Sequence, residues 1–413
     1  MNETKKIAIV GGGSAGLISA YLLHKKYDIT LFEKQAILGG NVRTLNKNVL
    51  GTKLPSSLHI ENGVLGFSQE YYPNFHRLLK KLKVPYTYYK PSISLFSHNQ
   101  FYPARTLSYL NFKTLFQLMT NSNYRSEVLA LSKSQKELEH QIQNSTTKHK
   151  SFNDFNFNQE LFKTYMKALF MLSFSTPFHL VPQLPQRLIN EYYLKLPNSN
   201  WSFIKGGVFS YMEAVLKQTD LNVVLDATDV KIIRTNSGIN LKCNGESSEF
   251  DHVVIATTPG SVIDILVDKT EDENEIFGDW KNQQFKTIAH TDNSFYGTNK
   301  HVRKTPMDLF YNYSDNSIGY NTYQNRGYGI STDTDYCFAY GLDHHIHKDK
   351  ILNIQDHYVP KYTKDHDHKI DKLKHINGSN NTFFAGAYLD NCLHEGAVNS
   401  ALLISKKLGG LNL

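Results

Sequence analysis

A G-x-G-x-x-G run at Gly11, Gly13 and Gly16 constrains this chain more than any other feature, because of what surrounds it. Lys6 to Val10 reads as a short buried strand. Ser14 to Lys26 reads as a helix, with Leu17, Ala20, Leu22 and Leu23 interleaved with small residues. Asp28 to Lys34 is a second strand. Strand, glycine turn, helix and strand within about 30 residues make a βαβ unit of the dinucleotide-binding kind. Gly11 permits the tight turn, Gly13 lets backbone approach a pyrophosphate, and Gly16 lets helix and strand pack closely. The helix start at Ser14 and Ala15 presents free N–H groups and a positive dipole end to the phosphates. Glu33 follows Gly13 by twenty residues, at the end of the second strand. An acid there accepts hydrogen bonds from the adenosine ribose hydroxyls and repels a 2′-phosphate, which favours FAD or NAD over NADP.

Lys5 and Lys6 ahead of an apolar run to Leu23 have the outline of a secretory signal. The glycines in mid-run, and its direct continuation into the second strand, argue against one. No other stretch is long and apolar enough to span a bilayer. Cys243, Cys337 and Cys392 lie far apart, which is neither a disulfide framework nor a zinc pattern and fits a reducing cytoplasm.

Beyond the first unit, the helical spacing of FHRLLKKLKV and LFKTYMKALFMLSF predicts helices between 71 and 196. Ser132 to Gln159 is polar and reads as loop or a solvated helix. Asn222 to Thr235 and Phe250 to Thr257 return to strand character, and 267–376 is rich in Tyr, Asp and His. The chain from Asn381 onward is again strand, glycine turn and helix. The expected fold is α/β: a discontinuous Rossmann-type FAD-binding domain (1–70, 200–266 and 376–413) with an inserted α+β substrate domain (71–199 and 267–375).

The residues after Glu33 and Lys34 separate FAD from NAD. A second glycine turn, Gly39 and Gly40, leads through Asn41 and Val42 to Arg43 and Thr44. A fixed cation after such a turn suits the far side of a pyrophosphate. At this point the sequence resembles the flavin amine oxidase and phytoene desaturase superfamily. ENGVLGF (61–67) resembles the segment that passes beside the flavin, and so implies cofactor contacts from Gly63, Val64 and Leu65. WSFIKGG (201–207) resembles the aromatic-then-glycine block before a helix. DATDVKII (226–233) places Val230 where the family's backbone meets adenine. FDHVVIATTP (250–259) resembles the strand returning to the nucleotide, with Ala256 and Thr257 at its end. FFAGAYLDNCLHEGAVNSA (383–401) resembles the C-terminal block, with Gly386 near the pyrophosphate. There Glu395, Gly396 and Ala397 open a helix whose N-terminus, in the family, faces the flavin. The detailed wording, including HTD at 290–292, is similar to a bacterial branch described only as FAD/NAD-binding or amine-oxidase-like.

Two positions depart from the pattern. Ala387 stands where relatives often carry an acid that bonds the cofactor. Leu393 stands where amine oxidases place an aromatic that cages the substrate amine. With no second G-x-G-x-x-G downstream, a dedicated NAD(P)H domain is not expected. The resemblance implies an oxidoreductase passing hydride to flavin N5. Its small-molecule substrate is expected to be apolar, desaturated or isomerised at a double bond. Oxidative deamination is the alternative, and a flavin-carrying binding protein without turnover is a third reading.

His394, beside Glu395, is the candidate acid/base or substrate-orienting group. Cys392 does not match a known covalent flavin attachment. The His/Asp clusters at 343–350 and 364–369 lack a ligand motif and read as solvated loops, so no metal is expected. Leu161 to Phe178 reads first as a buried helix and second as a pocket wall. The net charge of +7 permits contact with a membrane surface, while the absence of a basic block or motif argues against nucleic acid.

Overall fold

The computed structural model describes residues 4–89, 93–97, 100–103, 112–144, 150–195, 199–299, 307–312 and 317–413. The strands, in chain order, are β1 (Lys6–Val10), β2 (Asp28–Phe32), β3 (Phe67–Ser68), β4 (Tyr86–Tyr89), β5 (Ile93–Ser97), β6 (Gln100–Pro103), β7 (Trp201–Ile204), β8 (Asn222–Val224) and β9 (Lys231–Thr235). They continue as β10 (Gly238–Cys243), β11 (Glu246–Phe250), β12 (His252–Ile255), β13 (Asn282–His290), β14 (Met307–Asn312), β15 (Ser317–Tyr323), β16 (Cys337–Tyr340), β17 (Ile351–Pro360) and β18 (Thr382–Phe384). Helices α1 (Ser14–Leu23), α2 (Pro73–Lys81), α3 (Phe112–Thr120), α4 (Ser122–Asn144), α5 (Glu160–Phe174), α6 (Gln186–Lys195) and α7 (Phe209–Gln218) precede α8 (Pro259–Ile265), α9 (Glu271–Phe277), α10 (Asn325–Tyr328), α11 (His366–Ile376) and α12 (His394–Leu408).

A five-stranded parallel sheet runs β18-β12-β1-β2-β8 and draws its strands from both ends and the middle of the sequence. Its apolar runs (Ile7 to Val10, Val253 to Ile255) are buried on both faces, as parallel strands covered by helices require. α1 and α12 pack against each other over one face. On the other face Phe277, Trp280, Ile370 and Leu373 join the core of Val10, Phe32, Val253 and Ile255. The mixed α/β architecture expected from the sequence is therefore present. The helix starting at Ser14 ends at Leu23 rather than Lys26, because the chain turns there to reach β2.

The second large sheet has seven strands in the order β17-β13-β16-β15-β14-β5-β6, antiparallel except where β5 meets β14. Side chains alternate between its two faces. Phe285, Met307, Leu309, Tyr320, Phe338 and Leu95 point to the main core shared with α5. Ile288, Phe310, Ala339 and Phe96 form a separate cluster on the opposite face. Ser132 to Asn144 of the polar run belongs to the long helix α4, whose Ser134, Leu138 and Ile142 are buried, while 145–149 lie outside the described residues. The HTD histidine is structural. His290 lies between Asn321 (3.0 Å) and the Asp292 backbone N–H (3.1 Å), and burial pushes its pKa down to about 4.

Candidate functional site

One cleft of about 910 Å³ runs from the glycine turn to the seven-stranded sheet. Its nucleotide end is built by the C-terminal ends of β1, β2 and β12. Gly11, Gly13, Ser14, Ala15, Glu33, Lys34, Gly40, Asn41, Val230, Ala256, Thr257 and Gly386 all line it. α1 starts at this end with no side-chain cap on its first N–H groups. An uncapped helix start at a cleft is an anion site. Glu33 is buried, and its two carboxylate oxygens accept the N–H of Gly12 (2.7 Å) and of Gln35 (2.9 Å). Each carboxylate oxygen keeps a further lone pair for a ribose hydroxyl. A Cβ on Gly13 would meet nothing closer than the Gly40 Cα at 3.6 Å, so the space above that backbone is free for a ligand. On these observations the residues fit a dinucleotide.

Gly63, Val64 and Leu65 line the middle of the cleft with Ala397 and His394. The His394 ring is wedged edge-on among Phe67, Phe75 and Tyr211, with Nδ1 3.5 Å from Ser14 Oγ and Nε2 unpartnered. Burial pulls its pKa down to about 3, so the ring is neutral.

Other expected residues sit beneath the lining. Arg43 is fully buried; it donates to the Val42 carbonyl and to Gln35 Oε1, and its Nε has no partner. Burial lowers its pKa, and the nearby Glu33 opposes that. Gly16 packs under Gly11. Glu395 turns away from the cleft and accepts the N–H groups of Asn74 (2.8 Å) and Phe75 (2.9 Å), thereby capping α2. Gly396 packs against the Ala387 carbonyl and Asn391, whose side chain accepts its N–H at 2.9 Å.

The far end of the cleft is walled by Tyr72, Phe174, Tyr192, Trp201, Phe285, Met307, Tyr320 and Phe338, with Leu172 to Ser175 from the end of α5. The stretch 161–178 thus serves both expected purposes, as buried helix and as wall. Among the described residues, every charged lining residue apart from Glu33 (Lys34, Asp229, Lys231, Asp264, Asp356) is exposed at the rim. The sequence reading did not single out Thr287 and His357. Thr287 Oγ1 and His357 Nε2 lie 2.9 Å apart, and both reach the Asn62 carbonyl, at 3.2 and 2.9 Å. A carbonyl partner puts the proton on Nε2 and leaves Nδ1 a bare acceptor. Burial first, then Arg43, pulls the His357 pKa down to about 4. Only their places on facing strands β13 and β17 bring the two together, and no local motif signals that.

The 364–369 cluster is not a solvated loop throughout. His366 and Lys369 are buried on α11; His366 meets Cys392 Sγ at 3.3 Å, and Lys369 lies over the Trp280 ring. All three cysteines are free. Among the described residues there is no metal-binding cluster, and no helix is long and apolar enough to cross a membrane.

Residues 14–305 match the family model of flavin-containing amine oxidoreductases. No curated protein matches the sequence. Three solved structures share the fold over nearly their whole length. A provisionally named protoporphyrinogen oxidase from Exiguobacterium sp. 255-15 is 16% identical (TM-score 0.68, covering 98% of this chain and 99% of that one). A CLA-producing fatty acid isomerase from P. acnes is 14% identical (TM-score 0.66, 98% and 99%). Cyclohexylamine oxidase from Brevibacterium oxydans IH-35A is 12% identical (TM-score 0.67, 98% and 100%). With the family match spanning well over half the chain and the cleft built as a dinucleotide site, this protein belongs to the flavin-containing amine oxidoreductases and is an FAD-dependent oxidoreductase.

Proposed function

We propose that this enzyme acts on an apolar, lipid- or isoprenoid-like molecule, desaturating it or moving a double bond. The observation that carries the reading is the far end of the cleft. Its wall is aromatic and aliphatic, and among the described residues no charged lining residue lies inside the rim except Glu33 at the glycine turn. A cationic amine would leave water there with no carboxylate to meet it, which is costly. Leu393 and Cys392 line the cleft where an amine cage would need an aromatic at 393. Fold neighbours include an enzyme named for a fatty acid and one named for an amine, so the lining rather than the fold discriminates.

The residues 1–70, 200–266 and 376–413 are taken as the cofactor part and the remainder as the substrate part. FAD, when bound, supplies the hydride acceptor. The chain supplies position, with Gly11 to Ala15 and Glu33 holding the nucleotide. Gly63 to Leu65 and Ala397 flank the ring system, and the aromatic wall excludes water. His394 acts as a positioning group rather than an acid or base, since burial keeps it neutral and rings fix it on three sides. Leu115, Phe116 and Met119 stand 46%, 57% and 79% exposed on α3, which supports peripheral contact with a membrane carrying such a substrate. The free, buried cysteines fit the reducing cytoplasm in which we place the chain.

The test is anaerobic mixing of the oxidised enzyme with unsaturated lipids or isoprenoids and, separately, with primary and secondary amines. Flavin bleaching reports net oxidation, and chromatography of the lipids reports isomerisation. A changed lipid is the expected result. Rapid bleaching by an amine with every lipid recovered intact would replace this reading with oxidative deamination.

A further inference from the structure

On the sheet face that closes the far end of the cleft, two threonines are engaged with protein while a tyrosine lining the cleft is not. Thr287 is tied to Asn62 and His357. Thr322 Oγ1 donates to the Phe338 carbonyl at 2.9 Å. Tyr320, two residues before Thr322 and on the same face, lines the cleft and is only 2% exposed, and among the described residues its hydroxyl has no hydrogen-bond partner. The hydroxyl keeps a little accessible surface, and with Tyr320 lining the cleft an occupant there can reach it. Three rings fix its direction. Phe285 and Tyr340 stack on it at 6.3 and 5.8 Å (27° and 28°), and Phe338 meets it edge-on at 6.1 Å (81°). Burial holds the phenol well above its ordinary pKa, so it stays a neutral donor.

A phenol packed this way carries a desolvation cost that phenylalanine would avoid, unless an occupant of the cleft uses the O–H. Tyr72, on the wall toward α2, is a second lining phenol for which no hydrogen bond is made, but fewer rings hold it. An anionic acceptor does not suit the Tyr320 end, because no cation lines the interior and a carboxylate would be desolvated against a single neutral donor.

We propose that Tyr320 positions the substrate by donating its O–H to a neutral oxygen, so that the substrate is an apolar chain or ring bearing a carbonyl or hydroxyl group. This rests on the apolar reading of the same cleft and narrows it. A neutral hydrogen bond of this kind is worth about 1 kcal/mol, or roughly a fivefold to tenfold preference for the oxygenated ligand.

The experiment uses the FAD-loaded enzyme and its Tyr320→Phe variant. The probes are a long-chain methyl ketone, the alkane of equal length and the matching fatty acid, with perturbation of the flavin spectrum as the binding signal. The wild type is expected to bind ketone more tightly than alkane, and acid no better than ketone. Tyr320→Phe is expected to lose the ketone preference while keeping alkane affinity, FAD content and melting temperature. Alkane binding with an unchanged ketone preference in the variant would overturn the role of Tyr320 and leave the apolar reading standing. Tightest binding of the acid would overturn the neutral-oxygen class. No binding of any probe by the wild type would sink both readings together.

Discussion

The Glu33 carboxylate receives the N–H of Gly12 at 2.7 Å, so the acid that ends the second strand also holds the glycine turn in place. One side chain therefore shapes the glycine turn and keeps free acceptor capacity at the cleft, where the proposed ribose would lie. Glu33→Ala removes a charged acceptor from Gly12 and Gln35, and such bonds are worth roughly 1.5–3 kcal/mol. FAD affinity is expected to fall by about tenfold to a hundredfold, read by titrating apoprotein. Unchanged affinity would show that Glu33 does not hold the nucleotide.

Two glycines of the fingerprint separate ligand from fold. A Cβ at Gly16 would overlap the Gly11 carbonyl oxygen, whereas one at Gly13 meets only the Gly40 Cα at 3.6 Å. Gly16→Ala is expected to lower both the melting temperature and FAD content. Gly13→Ala is expected to leave the apoprotein melt nearly unchanged while FAD binding drops. If Gly13→Ala keeps normal FAD affinity, the space above Gly13 is not where the diphosphate lies.

The Glu395 side chain, at the start of α12, caps α2 rather than lining the cleft. Loss of a cap costs about 0.5–2 kcal/mol. Glu395→Ala should thus lower the melting temperature while the flavin absorption spectrum and FAD content stay as in the wild type. A shifted spectrum with an unchanged melt would return Glu395 to the cofactor.

Stability should peak at about pH 7. Burial pulls His290, His357 and His366 down to about 4 and His394 to about 3. The unfolded chain takes up protons at about 6.5, so each of these histidines costs stability as pH falls below that value, by about 1.4 kcal/mol per pH unit. Glu61 works in the other direction. It is fully buried and its pKa is raised to about 8, although the Val208 N–H and Thr44 hydroxyl partly stabilise the carboxylate. Its proton stays on in the fold and leaves the unfolded chain at about 4.3, so stability falls as pH rises toward 8. At about pH 6.5 the unfolded histidines are only half deprotonated and still outweigh Glu61, and the balance turns at about pH 7. Urea melts at about pH 5, 7 and 8 check this; a stability that rises steadily to about pH 8 would contradict it.

The nucleotide half of the cleft was legible in the sequence because its chemistry is local. The turn at 11–16, Glu33 and the C-terminal block each carry their meaning in short runs, and most of those residues line the cleft. Arg43 and Glu395 were placed correctly along the chain but not in direction, since what each faces depends on Gln35 and on α2. The apolar half of the cleft was not legible. Phe285, Tyr320 and Phe338 meet only through the order of strands in the seven-stranded sheet, and His357 and Thr287 only through pairing of β13 with β17. In the 364–369 cluster, charged spacing looked solvated, yet α11 buries His366 and Lys369 against Cys392 and Trp280.

We propose that one continuous cleft holds the nucleotide at the glycine turn and its reactive end beside the apolar wall. A crystal structure of the FAD-loaded enzyme is expected to show a single dinucleotide whose density touches both Gly13 and Gly386, with the adenosine at Glu33 and the ring system against Gly63 to Leu65. Density that leaves Gly13 and Gly386 lining different sites, or that places the ring system away from the wall of Phe285, Tyr320 and Phe338, would contradict it.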